Sequence, residues 1–365
     1  MKKLLTICAG PRAKWVTLAV WLIAMVAFGA ANLPKKFDEI QKNDSASFLP
    51  ASAESTKALE ATRTLTGQES VTIVTVYRRG SGLTPADRAK IASDRTELNA
   101  EQLPRTSPFA APVIAPDGTT ALLSADIATN GKPETILDPV DAVRTIVSRS
   151  DGGGLQVKVT GSAGYSADAI KVFGNINGTL IAVAGALVLF LLIIIYRSPI
   201  FWIIPILAVG FAELASRSIG YLLGQIGVTV NGQSSSIMSI LVLGAGTDYA
   251  LLLVARYREE LRREPDRHVA MQRALAAAGP AIIASGVTVT LAVLTLMLAQ
   301  VNGTAGLGPL GALGVVIAML SMLTLLPALL VVFGRRAFWP RVPHVGDAGT
   351  DVTHGSWRRW GERIA

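Results

Sequence analysis

Half of the chain's 365 residues are hydrophobic, and only 16% are charged. Ordinary soluble domains carry about 25% charged residues, so this composition indicates a membrane protein and excludes an ordinary soluble domain. The formal net charge is +8, which indicates nucleic-acid binding if it covers an ordered face and membrane orientation if it collects beside the spans. The one cysteine, Cys8, excludes an intrachain disulfide.

The N-terminal segment 1–33 predicts a lead-in and a first transmembrane helix. Basic residues are frequent in Met1–Lys14, and an apolar run from Trp15 to Leu33 follows. A basic flank of this kind predicts a cytoplasmic N-terminus. A cleaved signal peptide is the alternative, because Ala27–Ala30 resembles a small-residue cleavage site, but its apolar region would exceed the usual length of about 7–15 residues.

The next segment, 34–173, has the composition of a soluble α+β domain. Its predicted strands and helices are, in chain order, strand Val71–Tyr77, helix Thr84–Gln102, strands Ala111–Ala115 and Thr119–Ile127, helix Pro133–Ser148 and strand Leu155–Thr160. This β-α-β-β-α-β order is that of a split βαβ, ferredoxin-like unit. We expect the domain to be extracytoplasmic; a sensor domain of unrelated origin is the alternative.

Five further apolar runs predict spans two to six, so that residues 174–334 form a bundle and 335–365 a basic cytoplasmic tail. The runs are Ile176–Tyr196, Phe201–Gly224, Ser234–Tyr257, Ala281–Gln300 and Gly308–Phe333. Threaded from a cytoplasmic N-terminus, every basic loop falls inside, whereas loops 225–233 and 301–307 hold no Lys or Arg. The predicted fold class is membrane α-helical, with six transmembrane helices in the plasma membrane. The bilayer accounts for the basic excess, and nucleic acid is not expected as a partner.

The fourth predicted span contains an acid, Asp248. An ionised carboxylate near the centre of a spanning helix costs about 2.5–3.5 kcal/mol on insertion scales. Such a group is by default a proton or ion relay, and desolvation makes its protonation sensitive to the side from which water reaches it. A structural acid that is hydrogen-bonded to a neighbouring helix is the alternative. Tyr249 follows directly, and Gly244 and Gly246 lie just before, where they would let another helix approach closely.

The run Gly244-Ala-Gly-Thr-Asp248-Tyr249 resembles the fourth-helix motif of the MmpL transporters, a branch of the RND superfamily. The resemblance implies that Asp248 and Tyr249 carry proton coupling and that the 34–173 domain is a porter domain. It also implies a second half that repeats the first and presents a matching Asp–Tyr pair. The tail Gly355–Ala365 resembles the lead-in Lys2–Trp15, but no span follows it. We therefore expect a truncated chain, a split gene product or a half-transporter, with a missing C-terminal half or a second subunit as partner.

Other polar residues of the predicted spans have less specific roles. Glu213 and Arg217 lie four residues apart and can form an intramembrane ion pair. Ser285 on the fifth span could support the relay or only pack against a neighbouring helix. No phosphate-binding loop, metal-ligand spacing or catalytic triad is readable. The sequence therefore predicts no cofactor and no enzymatic activity.

The predicted function is export of a hydrophobic or lipidic molecule across the cytoplasmic membrane, driven by the proton gradient. The lipidic nature of the substrate comes from the family resemblance alone. Two alternatives stay open: a sterol-sensing-like membrane receptor with the same helices, and an accessory subunit of protein export.

Overall fold

The computed structural model describes residues 8–41, 50, 52–66, 69–130, 132–149, 153–196, 201–340 and 342–346. The first part of the chain contains α1 Ala13–Ala30, α2 Leu33–Glu39, α3 Glu54–Thr66, β1 Glu69–Arg78, α4 Pro85–Ala100, β2 Val113–Ile114, β3 Thr120–Thr129, α5 Pro133–Ser148 and β4 Gln156–Thr160. The second part contains α6 Gly161–Tyr196, α7 Ile203–Gln225, α8 Gly232–Arg263, α9 Arg267–Leu294 and α10 Asn302–Phe333, with 3-10 turns at Thr295–Leu298 and Gly334–Phe338.

The four strands form one antiparallel sheet in the order β2-β3-β1-β4. Side chains alternate along β1 and β3, so that every second residue is buried. Helices α4 and α5 supply the other side of this core through Ile91, Leu98, Ile136, Val140 and Val143, all of them buried. The sheet therefore has one face covered by two helices.

Helix α4 begins at a capping box in which Thr84 and Asp87 exchange side-chain and backbone hydrogen bonds. The Asp87 carboxylate also accepts two hydrogen bonds from the Arg79 guanidinium, at 2.7 and 2.8 Å. These bonds hold the pKa of Asp87 well below its usual range. The ion pair ties the end of β1 to the start of α4.

Strand β4 leads without a loop into α6, which is 36 residues long. At 1.5 Å per residue this helix extends roughly 54 Å, far more than the roughly 30 Å of a bilayer core. Gly161 at the junction has φ of +85°, and a Cβ there would lie 2.4 Å from the Thr72 carbonyl oxygen. The domain boundary placed at 173 from the sequence thus falls within a continuous helix.

Five helices of the described residues are long and apolar enough to cross a membrane. They are Ala13–Ala30, Ile203–Gln225, Gly232–Arg263, Arg267–Leu298 and Asn302–Phe338, the last two counted with their 3-10 turns. The second predicted span is the C-terminal part of α6, in which many side chains lie outside the described part, namely those of residues 173–181, 184, 191, 192, 195 and 196. The count of six spans stays a prediction.

Helix α10 is the centre of the bundle and packs against α1, α7, α8 and α9. Its N-terminal half is rich in glycine, which lets neighbouring segments approach closely. A Cβ at Gly306 would lie 2.2 Å from the Thr229 carbonyl oxygen, and one at Gly311 would lie 2.7 Å from Val293 Cγ1. At these glycines the central helix therefore lies too close to its neighbours for any side chain to fit.

The two ends of the bundle differ in their residues. Helix α6 starts at the sheet, and the helices that follow run alternately away from it and towards it. The starts of α8 and α10 therefore lie at the end of the bundle nearest the α/β domain, where Pro50 forms a β-bridge with Val301. The opposite end, which we name the basic end, contains the end of α8, the start of α9 and the end of α10. Its arginines include Arg256, Arg262, Arg263, Arg267, Arg335 and Arg336.

Candidate functional site

Asp248 lies near the midpoint of α8 along its length, 16 residues after its start and roughly 24 Å along its axis. Its side chain is exposed. Among the described residues it makes no hydrogen bond and no ion pair. Within the described part of this chain the carboxyl is therefore not covered by protein, and its role as a proton relay stays a prediction.

The exposure follows from the face of α8 on which Asp248 lies. Gly244 is one turn before it, and a Cβ at Gly244 would meet no atom within 4 Å. Leu252, one turn after it, is 46% exposed. Residues four apart share a helix face, so these three positions form an open stripe on α8 that no described segment covers.

Tyr249 points to the other side, into the bundle. It is only 6% exposed, and its hydroxyl oxygen lies 3.4 Å from the place that a Cβ of Gly286 would take. Gly286 belongs to α9, and the same position would lie 2.6 Å from Met319 Sδ of α10. Consecutive helical residues do not face each other, so the two residues of the predicted relay lie on different faces.

The remaining residues of the predicted relay are not brought together. Gly246 allows a close helix approach, because a Cβ there would lie 2.9 Å from Val209 Cγ2 of α7. Gly244 makes no such approach within the described residues. Ser285 is exposed on α9 beside Gly286, and no hydrogen bond joins it to Asp248 in the described part of the chain.

The predicted ion pair is part of a larger polar cluster. Arg217 Nε lies 3.8 Å from Glu213 Oε1, but Arg217 Nη2 makes a shorter contact, 2.8 Å, to Asp38 Oδ1 of α2. The Arg217 guanidinium also lies 5.8 Å from the centre of the Phe37 ring. The cluster therefore joins α7 to the helix that follows α1.

Helix α8 completes this cluster through Ser239, whose hydroxyl donates a 2.5 Å hydrogen bond to Glu213 Oε1. Glu213 Oε2 is buried and has no hydrogen-bond partner among the described residues. Sequence reasoning missed Asp38 and Ser239. The sequence shows only that polar residues lie in or beside the predicted spans, and this does not indicate which of them pair with Glu213 and Arg217.

No group of three His, Cys, Asp or Glu side chains within the described residues could hold a metal ion. What the geometry offers is a titratable carboxylate at mid-span on an open face of α8, followed by a buried tyrosine whose hydroxyl lies beside Gly286 of α9. Such an arrangement can exchange a proton.

Comparison with known proteins identifies the family. Residues 47–365 match the model of the MMPL family. The chain is 43% identical over 361 residues to the putative membrane protein ActII-3 of Streptomyces coelicolor, covering 98% of this chain and 50% of that protein. It is 32% identical to the apo-petrobactin exporter of Bacillus anthracis, covering 94% and 49%. It is 29% identical to the sulfolipid-1 exporter MmpL8 of Mycobacterium tuberculosis, covering 97% and 33%.

This chain therefore belongs to the MMPL family, and the resemblance to the MmpL transporters is confirmed. It is a multi-pass membrane protein with relatives that are named exporters. The chain spans about half the length, or less, of the relatives named above.

Proposed function

We propose that this MMPL-family chain is one half of a secondary active transporter that exports a hydrophobic or lipidic molecule across the cytoplasmic membrane, driven by the proton gradient. Export is supported by relatives named for petrobactin and for sulfolipid-1. A lipidic substrate is the part of the proposal that rests on the second of these names. The N-terminus is cytoplasmic in this proposal, as the positive-inside rule predicts.

The observation that carries the proposal is the open stripe of Gly244, Asp248 and Leu252. A carboxylate at the centre of a span costs about 2.5–3.5 kcal/mol when it faces lipid. Acids in membrane proteins therefore almost always face a bundle interior or a water-filled cavity. In the working transporter, a second half or a second subunit covers this stripe, and Gly244 lets its helix approach closely.

In the proposed cycle, Asp248 takes a proton from the outer side while the stripe faces a hydrated cavity. The neutral acid tolerates close contact with the covering helix, and the ionised acid does not, so protonation selects between two helix arrangements. Each proton that crosses the membrane supplies about 2.3 kcal/mol per 100 mV. Because α8 packs against α9 and α10, a displacement of α8 is passed to both helices.

We assign substrate handling to the 34–173 domain, as a ferredoxin-like porter domain outside the membrane. The order β1-α4-β2-β3-α5-β4 and the sheet order β2-β3-β1-β4 support this fold class. The continuous passage from β4 into α6 supports a mechanical connection between the domain and the second predicted span.

The test uses the complete transporter, with its second half or subunit, in proteoliposomes that carry a pH gradient. Asp248→Asn should abolish proton-coupled substrate movement and leave the protein folded, because an amide cannot exchange the proton. Asp248→Glu should retain part of the transport. The matched control is Glu259→Gln, since Glu259 is a second acid of α8, paired with Arg256 and Arg263 at the basic end. Undiminished transport by Asp248→Asn would overturn the proposal.

A further inference from the structure

A pocket of about 610 Å³ opens at the basic end of the bundle, between the start of α9 and the end of α10. Pockets that bind small ligands have volumes of about 300–1,000 Å³. The wall on the α9 side includes Asp266 and Arg267, and the wall on the α10 side includes Phe333, Arg335 and Arg336. None of these residues belongs to the open stripe around Asp248.

One arginine builds the wall of the pocket. Arg335 donates hydrogen bonds to four backbone carbonyl oxygens, at distances of 2.5 to 3.2 Å. Of the acceptors, Leu261 lies in the last turn of α8, Glu264 and Pro265 lie in the connection between α8 and α9, and Pro343 follows α10. Arg335 therefore fixes the shape of the pocket, and we assign it no role in binding.

Two other arginines keep donors that no described residue uses. The Arg336 side chain is exposed and makes no hydrogen bond or ion pair with the described part of the chain. Arg267 donates from Nη1 to the Val332 carbonyl oxygen at 3.3 Å, and its side chain lies across Gly334. Its other guanidinium nitrogens have no acceptor among the described residues. An arginine guanidinium presents five N–H donors, so the pocket offers several charged donors.

The acid of the pocket is already engaged. Asp266 is the N-cap of α9, and its carboxylate accepts a 2.7 Å hydrogen bond from the His268 backbone N–H. With three arginines and one aspartate, the pocket keeps a positive balance. This excludes a metal cation as the preferred occupant and favours an anion whose oxygens accept from two guanidinium groups.

The edge of the pocket is apolar. Phe333 is 52% exposed at the last residue of α10, and Val332 lies beside it. The donors therefore lie where a membrane span ends, with apolar side chains next to them. A phospholipid with an anionic headgroup combines the same two features, and basic pockets between helices at the cytoplasmic side bind such headgroups.

We propose that this pocket binds the phosphate of an anionic phospholipid, with Arg267 and Arg336 as the ligating side chains. The shared chemistry is a phosphate oxygen on a guanidinium, which a soluble phosphate could also supply. A lipid bound here joins α9 to α10, two of the helices against which α8 packs.

The experiment uses the full chain purified in a neutral maltoside detergent. Thermal unfolding is followed while phosphatidylglycerol, phosphatidylcholine or inorganic phosphate is titrated, because a ligand that binds only the folded state raises the midpoint. We expect saturable stabilisation by phosphatidylglycerol and none by phosphatidylcholine. The double variant Arg267→Gln, Arg336→Gln should bind phosphatidylglycerol at least tenfold more weakly.

The matched control is Arg263→Gln, an exposed arginine of the basic end outside the pocket lining, which should bind as the unaltered chain does. Equal midpoints of all three proteins without lipid establish that the variants are folded. Equal binding of phosphatidylglycerol by the double variant would overturn the proposal. Saturable stabilisation by inorganic phosphate at the same concentration would show that the pocket binds a soluble anion, and it would overturn a lipid as the occupant of the pocket.

Discussion

Two glycines on α8 offer a direct test of how this bundle packs. Gly244→Ala and Gly246→Ala add the same methyl group to the same helix, two residues apart. At Gly246 the new Cβ would lie 2.9 Å from Val209 Cγ2, whereas at Gly244 it would meet nothing within 4 Å. Optimal separations between carbon atoms are about 3.5–4.0 Å, so only the first substitution creates a clash.

The size of the effect follows from two opposing contributions. Replacing glycine by alanine inside a helix is favourable by about 0.8–1.0 kcal/mol, and this gain is common to both variants. Overpacking of a well-packed interior costs about 1–3 kcal/mol, and only Gly246→Ala incurs it. The free energy of unfolding should therefore differ between the two variants by about 1–3 kcal/mol, with Gly246→Ala the less stable.

Circular dichroism of the purified chains in one detergent gives the unfolding midpoints, with the unaltered chain as reference. A lower midpoint for Gly246→Ala and an unchanged or higher one for Gly244→Ala is the expected outcome. Equal midpoints would refute the close contact between α7 and α8. In the complete transporter, Gly244→Ala should impair transport without loss of stability if the open stripe is covered by another helix.

Two polar networks allow further predictions. Asp87→Asn should destabilise the α/β domain by about 1.5–3 kcal/mol, the usual range for hydrogen bonds to a charged group. Because the pKa of Asp87 is lower in the folded state, its contribution to stability is present above the unfolded pKa of about 3.9 and is lost as the pH falls below it. The free energy of unfolding, measured along an acid titration, should therefore depend less on pH in Asp87→Asn than in the unaltered chain. Identical pH profiles of the two proteins would contradict this. Arg217→Ala should lower the unfolding midpoint more than Asp38→Ala. Asp38 is 52% exposed, and an exposed ion pair contributes only about 0–1 kcal/mol to stability. The reverse order of midpoints in the same assay would show that Asp38 is the more important partner.

Strands, helices and spans whose sequence patterns arise from neighbouring residues could be predicted from the sequence. The alternation in Val71–Tyr77 lies within β1, and the helix predicted at Pro133–Ser148 has the bounds of α5. Span four, predicted as Ser234–Tyr257, lies within α8, which continues to Arg263. Hydropathy reports the membrane-facing part of a helix, whereas its polar extension is held by pairs such as Arg263 with Glu259.

Contacts between helices that are distant in the chain could not be predicted from the sequence, because tertiary packing determines them. Asp38 and Arg217 are 179 residues apart in the chain, and no periodicity connects them. The open face of Asp248 likewise depends on which side of α8 packs against α7 and α10. Hydropathy indicates that an acid lies in a span, but the orientation of that acid is set by the other helices.

The unbroken course of α6 from the sheet to Tyr196 has a mechanical consequence. A helix of 36 residues that starts at a tightly packed glycine, with no loop before it, moves as one rod attached directly to the sheet. A tilt of about 10° at one end displaces the other by roughly 9 Å over its length. Small angular changes at the bundle end of α6 are thereby converted into displacements of about a nanometre at the sheet.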